Sequence, residues 1–211
     1  VSRRPATSLS SGPYLKRLQG HQKVREQLHQ ELLALPVPAF VRLIARLLYH
    51  CGYGSVQVLG EAQGGADIVA SASSGLGSTR TLVQAKQYRA PVSRRFVDEL
   101  RGAMLRHQAP QGLLLTTSTF FGPAYGAAAL EGLFAVRLVD GEELLDLFLE
   151  KGLGLQDSDA GHLALDREFF AALVQEQPDG LPAPSSHSRS TSSSSCSSCS
   201  SCGDALCGGA W

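Results

Sequence analysis

Apolar residues recur at helical intervals through "QKVREQLHQELLAL", where Val24, Leu28, Leu32 and Leu33 share one face. Pro36 and Pro38 break that helix. A stronger helical repeat follows in "FVRLIARLLYHCGY". Phe40, Leu43, Ile44, Leu47 and Leu48 form its apolar side, and Arg42 and Arg46 lie i,i+4 on another. Gly52 ends it, and Cys51 within it is expected in the core. The period then falls to two. "SVQVLG" alternates, "ADIVAS" follows a Gly64–Gly65 turn, and "TRTLVQAKQY" follows the turn "SSGLGS". Helical spacing returns in "SRRFVDELRGAMLRH", with Phe96, Leu100, Ala103 and Met104 inward. "GLLLTT" is wholly apolar, the pattern of a strand covered on both faces. Pro123 opens a helix through "AYGAAALEG", "FAVRLV" reads as a strand, and "GEELLDLFLEKG" as a helix with acids in its first turn.

The order α-β-β-β-α-β-α-β-α predicts an α/β fold. Three strands meander antiparallel, later strands return through helices, and helices cover both faces of a mixed central sheet. The chain of 211 residues is 43% hydrophobic, enough for one domain with tails. Residues 1–20 read as a flexible segment and 21–177 as the globular domain, with "LDREFFAAL" in a short appendix after residue 152. From Pro178 to residue 211 the chain turns to a Ser/Cys-rich tail, expected to be disordered. No apolar run approaches the roughly 18 residues of a membrane span. The basic start lacks the apolar stretch of a secretory signal.

Four of the five cysteines crowd that tail. Cys196, Cys199, Cys202 and Cys207 are spaced C-x2-C-x2-C-x4-C among serines. Four thiolates can bind zinc or an iron–sulfur cluster. The last gap and the surrounding serines point instead to compositional drift, so no tail metal is expected. Without a disulfide framework elsewhere, a reducing cytoplasm is the expected compartment.

Formal net charge is zero, but its distribution is uneven. Residues 1–47 carry eight basic against two acidic side chains, residues 86–106 six against two, and residues 140–179 two against eleven. Such asymmetry permits a polyanion site on a neutral protein, or merely solvated helix faces.

The chemistry concentrates in "LVQAKQYRAPV". Side chains on a strand alternate, so Gln84 and Lys86 point to one side at the end of an apolar strand. A buried Lys calls for an anion nearby. If residues 66–72 pair with 80–88 as a hairpin, Asp67 lies beside them. A carboxylate, an amide oxygen and an ammonium would then converge, a set suited to metal-assisted phosphodiester hydrolysis. The plainer alternative is a turn-capping Asp67 paired with Lys86. Arg89, Arg94 and Arg95 follow closely and are candidate phosphate contacts, or a solvated loop and helix start. Thr116, Thr117 and Ser118 end the apolar strand and either donate to phosphate or cap a turn.

The ordered set "FVRLIARLLYHCGY", "QGGADIVA", "LVQAKQYRAPVS", "LLLTTSTFFGPAYGAAA" and "VRLVDGEELLDLF" resembles the Mrr-type restriction endonucleases of the PD-(D/E)xK nuclease superfamily, over residues 38–150. The resemblance implies a restriction-endonuclease-like core, αβββαβ plus an additional strand and helix. It also implies a Mg2+-dependent DNA endonuclease (Mn2+ as substitute) acting in restriction of foreign or modified DNA. Its double-stranded DNA substrate would be cut on both strands by two active sites, which leaves a homodimer open. Asp67 would be a metal ligand, Gln84 the acceptor in place of the usual acid and a second ligand, and Lys86 the catalytic lysine. Three positions depart from the family pattern. Val41 replaces a glutamate, Gln63 an aspartate, and Phe121 a Ser or Thr; Glu61 lies close to Gln63 in sequence. These departures motivate two rivals: a catalytically impaired DNA-binding relative, and a protein-interaction domain that keeps only the fold.

Overall fold

The computed structural model describes residues 13–60, 64–74, 77–130, 134–157 and 163–176. All of them fall within one compact unit, Val1–Leu181. The Ser/Cys-rich tail, with Cys196, Cys199, Cys202 and Cys207, lies outside the described residues, as do Glu61 and Gln63.

Two helices lead the chain, α1 (Pro13–Ala34) and α2 (Val37–His50). The first opens at Pro13, inside the segment read as flexible, because proline at the first helical turn forfeits no hydrogen bond. The break at residues 35–36 matches the Pro36 and Pro38 signals. Cys51 is exposed rather than in the core, because it is the residue that caps α2, beyond its last buried turn.

The sheet runs in the order β1 (Ser55–Val58), β2 (Ile68–Ser74), β3 (Gly77–Lys86), β4 (Gln111–Thr116) and β5 (Ala135–Val139). The first three strands pair antiparallel; β3, β4 and β5 are parallel. The parallel joins need crossovers, supplied by α3 (Arg94–Arg106) and α4 (Gly122–Ala128). After α5 (Gly141–Lys151) come a small hairpin, β6 (Leu155–Asp157) with β7 (Leu163–Leu165), and α6 (Arg167–Gln175). The mixed sheet with helices on both sides is the expected architecture; α4 is shorter than "AYGAAALEG" suggested, and the appendix holds an unforeseen hairpin.

Strand parity sorts the core into two layers. Ile68, Val83, Ala85 and Leu115 face α2 and α5, with Phe40, Leu43 and Phe148 among their neighbours. Leu82, Leu114 and Val136 face α3 and α4, against Phe96, Leu100 and Met104. Gln84 and Lys86 share the parity of Leu82, and Asp67 that of Val69. Gln84 and Lys86 therefore belong to the α3 side of the sheet, and Asp67 lies one residue before β2.

Much of the uneven charge is met within the protein. Arg25 on α1 donates to the carboxylates of Glu142 and Asp146 on α5, and Arg46 on α2 pairs with Glu176 beyond α6. Arg42 is buried and donates to the Leu173 carbonyl at 2.9 Å, near the end of α6. The basic N-terminal segment thus binds the acidic C-terminal one. Among the described residues Lys86, Arg89, Arg94 and Arg95 remain at or shortly after the end of β3, whereas Arg101 is buried and donates to the Ala128 and Phe134 carbonyls. The exposed Arg25 pairs stabilise by about 0–1 kcal/mol each, so their effect is orientation more than stability.

Candidate active site

The site begins at a glycine turn. Gly65 has φ +89, and a Cβ there would stand 2.9 Å from the Glu99 carbonyl oxygen of α3. Only glycine meets both conditions. Arg106 of α3 donates to the Gly64 carbonyl at 2.6 Å, pinning the turn to the same helix. The chain then enters β2 with Asp67 fixed at both ends. Its N–H donates to the Val83 carbonyl at 2.8 Å, and its Oδ2 accepts the Ala85 N–H at 2.7 Å. Asp67 lies one residue before the Ile68–Val83 pair, and its carboxylate reaches the backbone of β3 between Gln84 and Lys86. The hairpin condition is met, and the Asp67 carboxylate is held across the strand pair.

Burial pushes the Asp67 carboxyl above the usual carboxylate range; the Ala85 N–H and the nearby Lys86 ammonium offset this in part. A raised folded-state value means the folded protein holds that proton more tightly than the unfolded chain. The associated stability is present below the ordinary carboxylate pKa and is lost as pH rises through the folded value. Asp67→Asn keeps an oxygen for Ala85 without the charge. In chelator-treated buffer it is expected to be more stable than wild type at pH 7. That gap should close as pH falls through the raised value toward about 4. Urea denaturation of both proteins across this range tests it; a gap that widens on acidification would refute the account.

Gln84 is 3% exposed, and its Oε1 is buried without a hydrogen-bond partner among the described residues. A buried polar atom left without a donor costs about 1–3 kcal/mol, so this oxygen calls for a partner that the described residues do not supply. Lys86 is half-buried and enters no ion pair among the described residues. Its Nζ lies 4.8 Å from the centre of the Phe96 ring. The alternative of an Asp67–Lys86 salt bridge is therefore not what the structure contains.

Among the described residues no cluster of three or more His, Cys, Asp and Glu side chains stands ready for a metal. The donors here are instead one carboxylate and one orphaned amide oxygen. Hard oxygens in small number suit a cation such as Mg2+, which keeps several waters. Val41, in place of the family's glutamate, is an apolar core residue at 8% exposure and adds no donor.

The other candidates separate into groups. Arg89 is exposed and lines an open cleft of about 310 Å3 with Thr117, Ser118, Thr119, His29 and Gln30. Arg94 and Arg95 lie on the exposed start of α3, in i,i+4 pairs with Asp98 and Glu99 at 3.2 Å each. Thr116 is fully buried and its hydroxyl accepts the Ser118 N–H at 3.2 Å. The Thr117 hydroxyl donates to the Tyr88 carbonyl at 2.8 Å, and that of Ser118 to the Arg89 carbonyl at 3.2 Å. These three hydroxyls shape the strand end and present Arg89 to the cleft.

Helix α1 supplies what sequence reasoning missed. His29 Nε2–H donates to the Thr117 carbonyl at 2.8 Å, since a carbonyl can only accept. Gln87, next to Lys86, donates through Nε2 to the Leu32 and Leu35 carbonyls at 2.6 and 2.7 Å. It caps the C-terminus of α1 and ties that helix to the end of β3. The amphipathic pattern of α1 signals a buried face, but nothing local names its partner.

The profile of the Mrr-type restriction endonuclease catalytic domain matches residues 32–148. The type IV methyl-directed restriction enzyme EcoKMrr of Escherichia coli (strain K12) is 31% identical over 153 residues, 70% of this chain and 49% of that protein. The chain thus spans about half the length of that curated relative. Among solved structures, the MspJI restriction endonuclease in complex with a 27-mer oligonucleotide aligns with a TM-score of 0.54 at 20% identity, covering 83% of this chain and 41% of that one. The DNA modification-dependent restriction endonuclease AspBHI aligns at 0.50 and 16%, covering 71% and 41%. At these identities the two structures establish the fold. With the profile covering more than half its length, the chain belongs to the Mrr restriction endonuclease family.

Proposed function

We propose that the protein is a DNA endonuclease that hydrolyses phosphodiester bonds with Mg2+, or Mn2+ in its place, and restricts foreign or modified DNA. The observation that carries this reading is the meeting of three groups at one strand end. A carboxylate held by the Ala85 N–H lies beside a strand that carries a buried amide oxygen with no partner among the described residues at Gln84 and, two residues on, an ammonium in no ion pair among them. Asp67 and Gln84 would hold the cation, which when bound supplies Lewis-acid polarisation of the phosphoryl group. Lys86 would orient the attacking water and stabilise negative charge that grows on the phosphoryl oxygens. Arg89 would hold a flanking phosphate over the cleft beside His29, and Arg94 and Arg95 would exchange their exposed i,i+4 partners for phosphates. None of these contacts reads a base. Such an enzyme would act in the cytoplasm, with two copies cutting the two strands.

The relative named above is methyl-directed and the two structural neighbours act on modified DNA or bind an oligonucleotide. They motivate the choice of test. Supercoiled plasmid, methylated and unmethylated, is incubated with protein in Mg2+ or Mn2+. Nicked and linear products that grow faster from methylated plasmid are expected. Binding that weakens with salt but yields no product in either metal would replace this reading with a non-catalytic DNA-binding relative, for which Val41 supplies the reason. No binding even at low salt would leave only the protein-interaction alternative.

A further inference from the structure

We propose that Phe96 is a positioning residue for Lys86: its ring face carries the ammonium at the strand end and keeps it out of the Asp67 carboxylate. The inference rests on the reading of Lys86 as the catalytic lysine. Helical spacing alone assigns Phe96 to the core, and it is indeed only 7% exposed. A leucine would satisfy that role. What leucine lacks is a π face, and here the face is in use. Lys86 Nζ lies 4.8 Å from the ring centre, the Arg95 guanidinium carbon lies 4.8 Å from the same centre, and Tyr88 packs edge-on at 5.7 Å.

A lysine with four rotatable carbons beside a half-buried carboxylate would ordinarily close an ion pair. That pair would disable the site twice, because it would occupy the carboxylate and neutralise the ammonium. A ring quadrupole attracts the cation without neutralising it and without competing for phosphate oxygens. The ring itself is held in place by the α3 layer, packed with Val92, Val97 and Leu100. The ammonium is thus anchored by an interaction that leaves its N–H donors free for an incoming anion.

The test exploits fluorination, which drains the ring quadrupole while nearly keeping its shape. Phe96 is replaced by mono-, di- and trifluorinated phenylalanine, and separately by Leu and Tyr. Single-turnover cleavage is expected to slow stepwise along the fluorine series, by about 3- to 30-fold at its end. Along the fluorine series DNA affinity and the thermal midpoint should stay nearly unmoved, and Phe96→Tyr should cut faster than Phe96→Leu. Equal rates across the fluorine series would overturn the proposal. A second readout needs no cutting. The lysines are Lys16, Lys23, Lys86 and Lys151, so the ε-methylene signals of 13C-labelled lysine are few. The Lys86 signal should be shifted upfield by the ring current and should relax in Phe96→Leu. An unshifted Lys86 overturns the inference even in an active enzyme. A wild type with the shift but no cleavage overturns the nuclease reading, and with it the purpose assigned to the ring.

Discussion

Lys86→Ala and Asp67→Ala are each expected to lower plasmid cleavage by about 10²- to 10³-fold or more, while leaving the protein folded. The two should differ in how they fail. In the proposed function Lys86 places charge at the reacting phosphate, and removal of one preorganised donor of developing charge typically has an effect of this size. Its loss should lower the rate at saturating metal, with little change in the metal concentration required. Asp67 is the carboxylate that accepts the Ala85 N–H at the end of β3 and the proposed metal ligand. Its loss should raise the metal requirement and lower the rate together. In metal-free buffer the two should move DNA affinity in opposite directions, Asp67→Ala tightening it by removing a negative charge and Lys86→Ala loosening it. Cleavage at wild-type rates by either variant would move the chemistry to another part of the chain. Far-ultraviolet circular dichroism and thermal midpoints keep the comparison fair, since the Ala85 N–H loses its acceptor in Asp67→Ala.

Why this site was legible while its surroundings were not is a matter of range. The hairpin of β2 and β3 is local, and a period of two fixes which side chains share a face once the register is known. The short connection from β2 to β3 sets that register, closing on the Ser74–Gly77 pair, and the Gly64–Gly65 pair marks where β2 opens. Gln84 and Lys86 can therefore be placed on one side from sequence, with Asp67 beside their strand. Helix α1 is different. Its contacts to the site run from Gln87 to Leu32 and Leu35, and from His29 to Thr117. Amphipathic spacing says that Leu28 and Leu32 are buried, but no periodicity says against which strand. Charge patterning misled for the same reason. Arg25, Arg42 and Arg46 counted toward a polyanion site, yet they meet Glu142, Asp146, Glu176 and the Leu173 carbonyl more than a hundred positions away. The threonines at the end of β4 were ambiguous because a hydroxyl serves a backbone turn or a phosphate equally well. Here the backbone has them, which leaves Arg89 as the exposed cation facing the cleft. Phe96 shows the opposite limit. Its burial was foreseen, but an aromatic ring at a core position looks like any other apolar residue until a cation lies over it.

Gln84→Leu should make the protein more stable and nearly inactive. The two effects share one cause. Oε1 of Gln84 is buried without a donor among the described residues, so the folded protein carries an unmet desolvation cost of about 1–3 kcal/mol. Leucine has a similar volume, and Leu82 and Leu114 on the same side of the sheet offer it apolar neighbours. Removing the orphan oxygen should raise the urea midpoint, while cleavage falls by about 100-fold or more through loss of a metal donor. Gln84→Glu separates ligand from packing. It keeps an oxygen at the same place and adds charge beside Asp67, where two like charges oppose each other. Without metal this variant should be less stable than wild type, and Mg2+ should raise its thermal midpoint by more than it raises that of wild type, because binding to the folded state alone stabilises by mass action. A Gln84→Leu protein less stable than wild type would show that Oε1 has a partner that matters to the fold. A stabilised Gln84→Leu protein that still cuts would show that the amide never touches the metal. The expected pair, stability gained and activity lost together, is the mark of an oxygen kept at the strand end for a ligand and not for the fold.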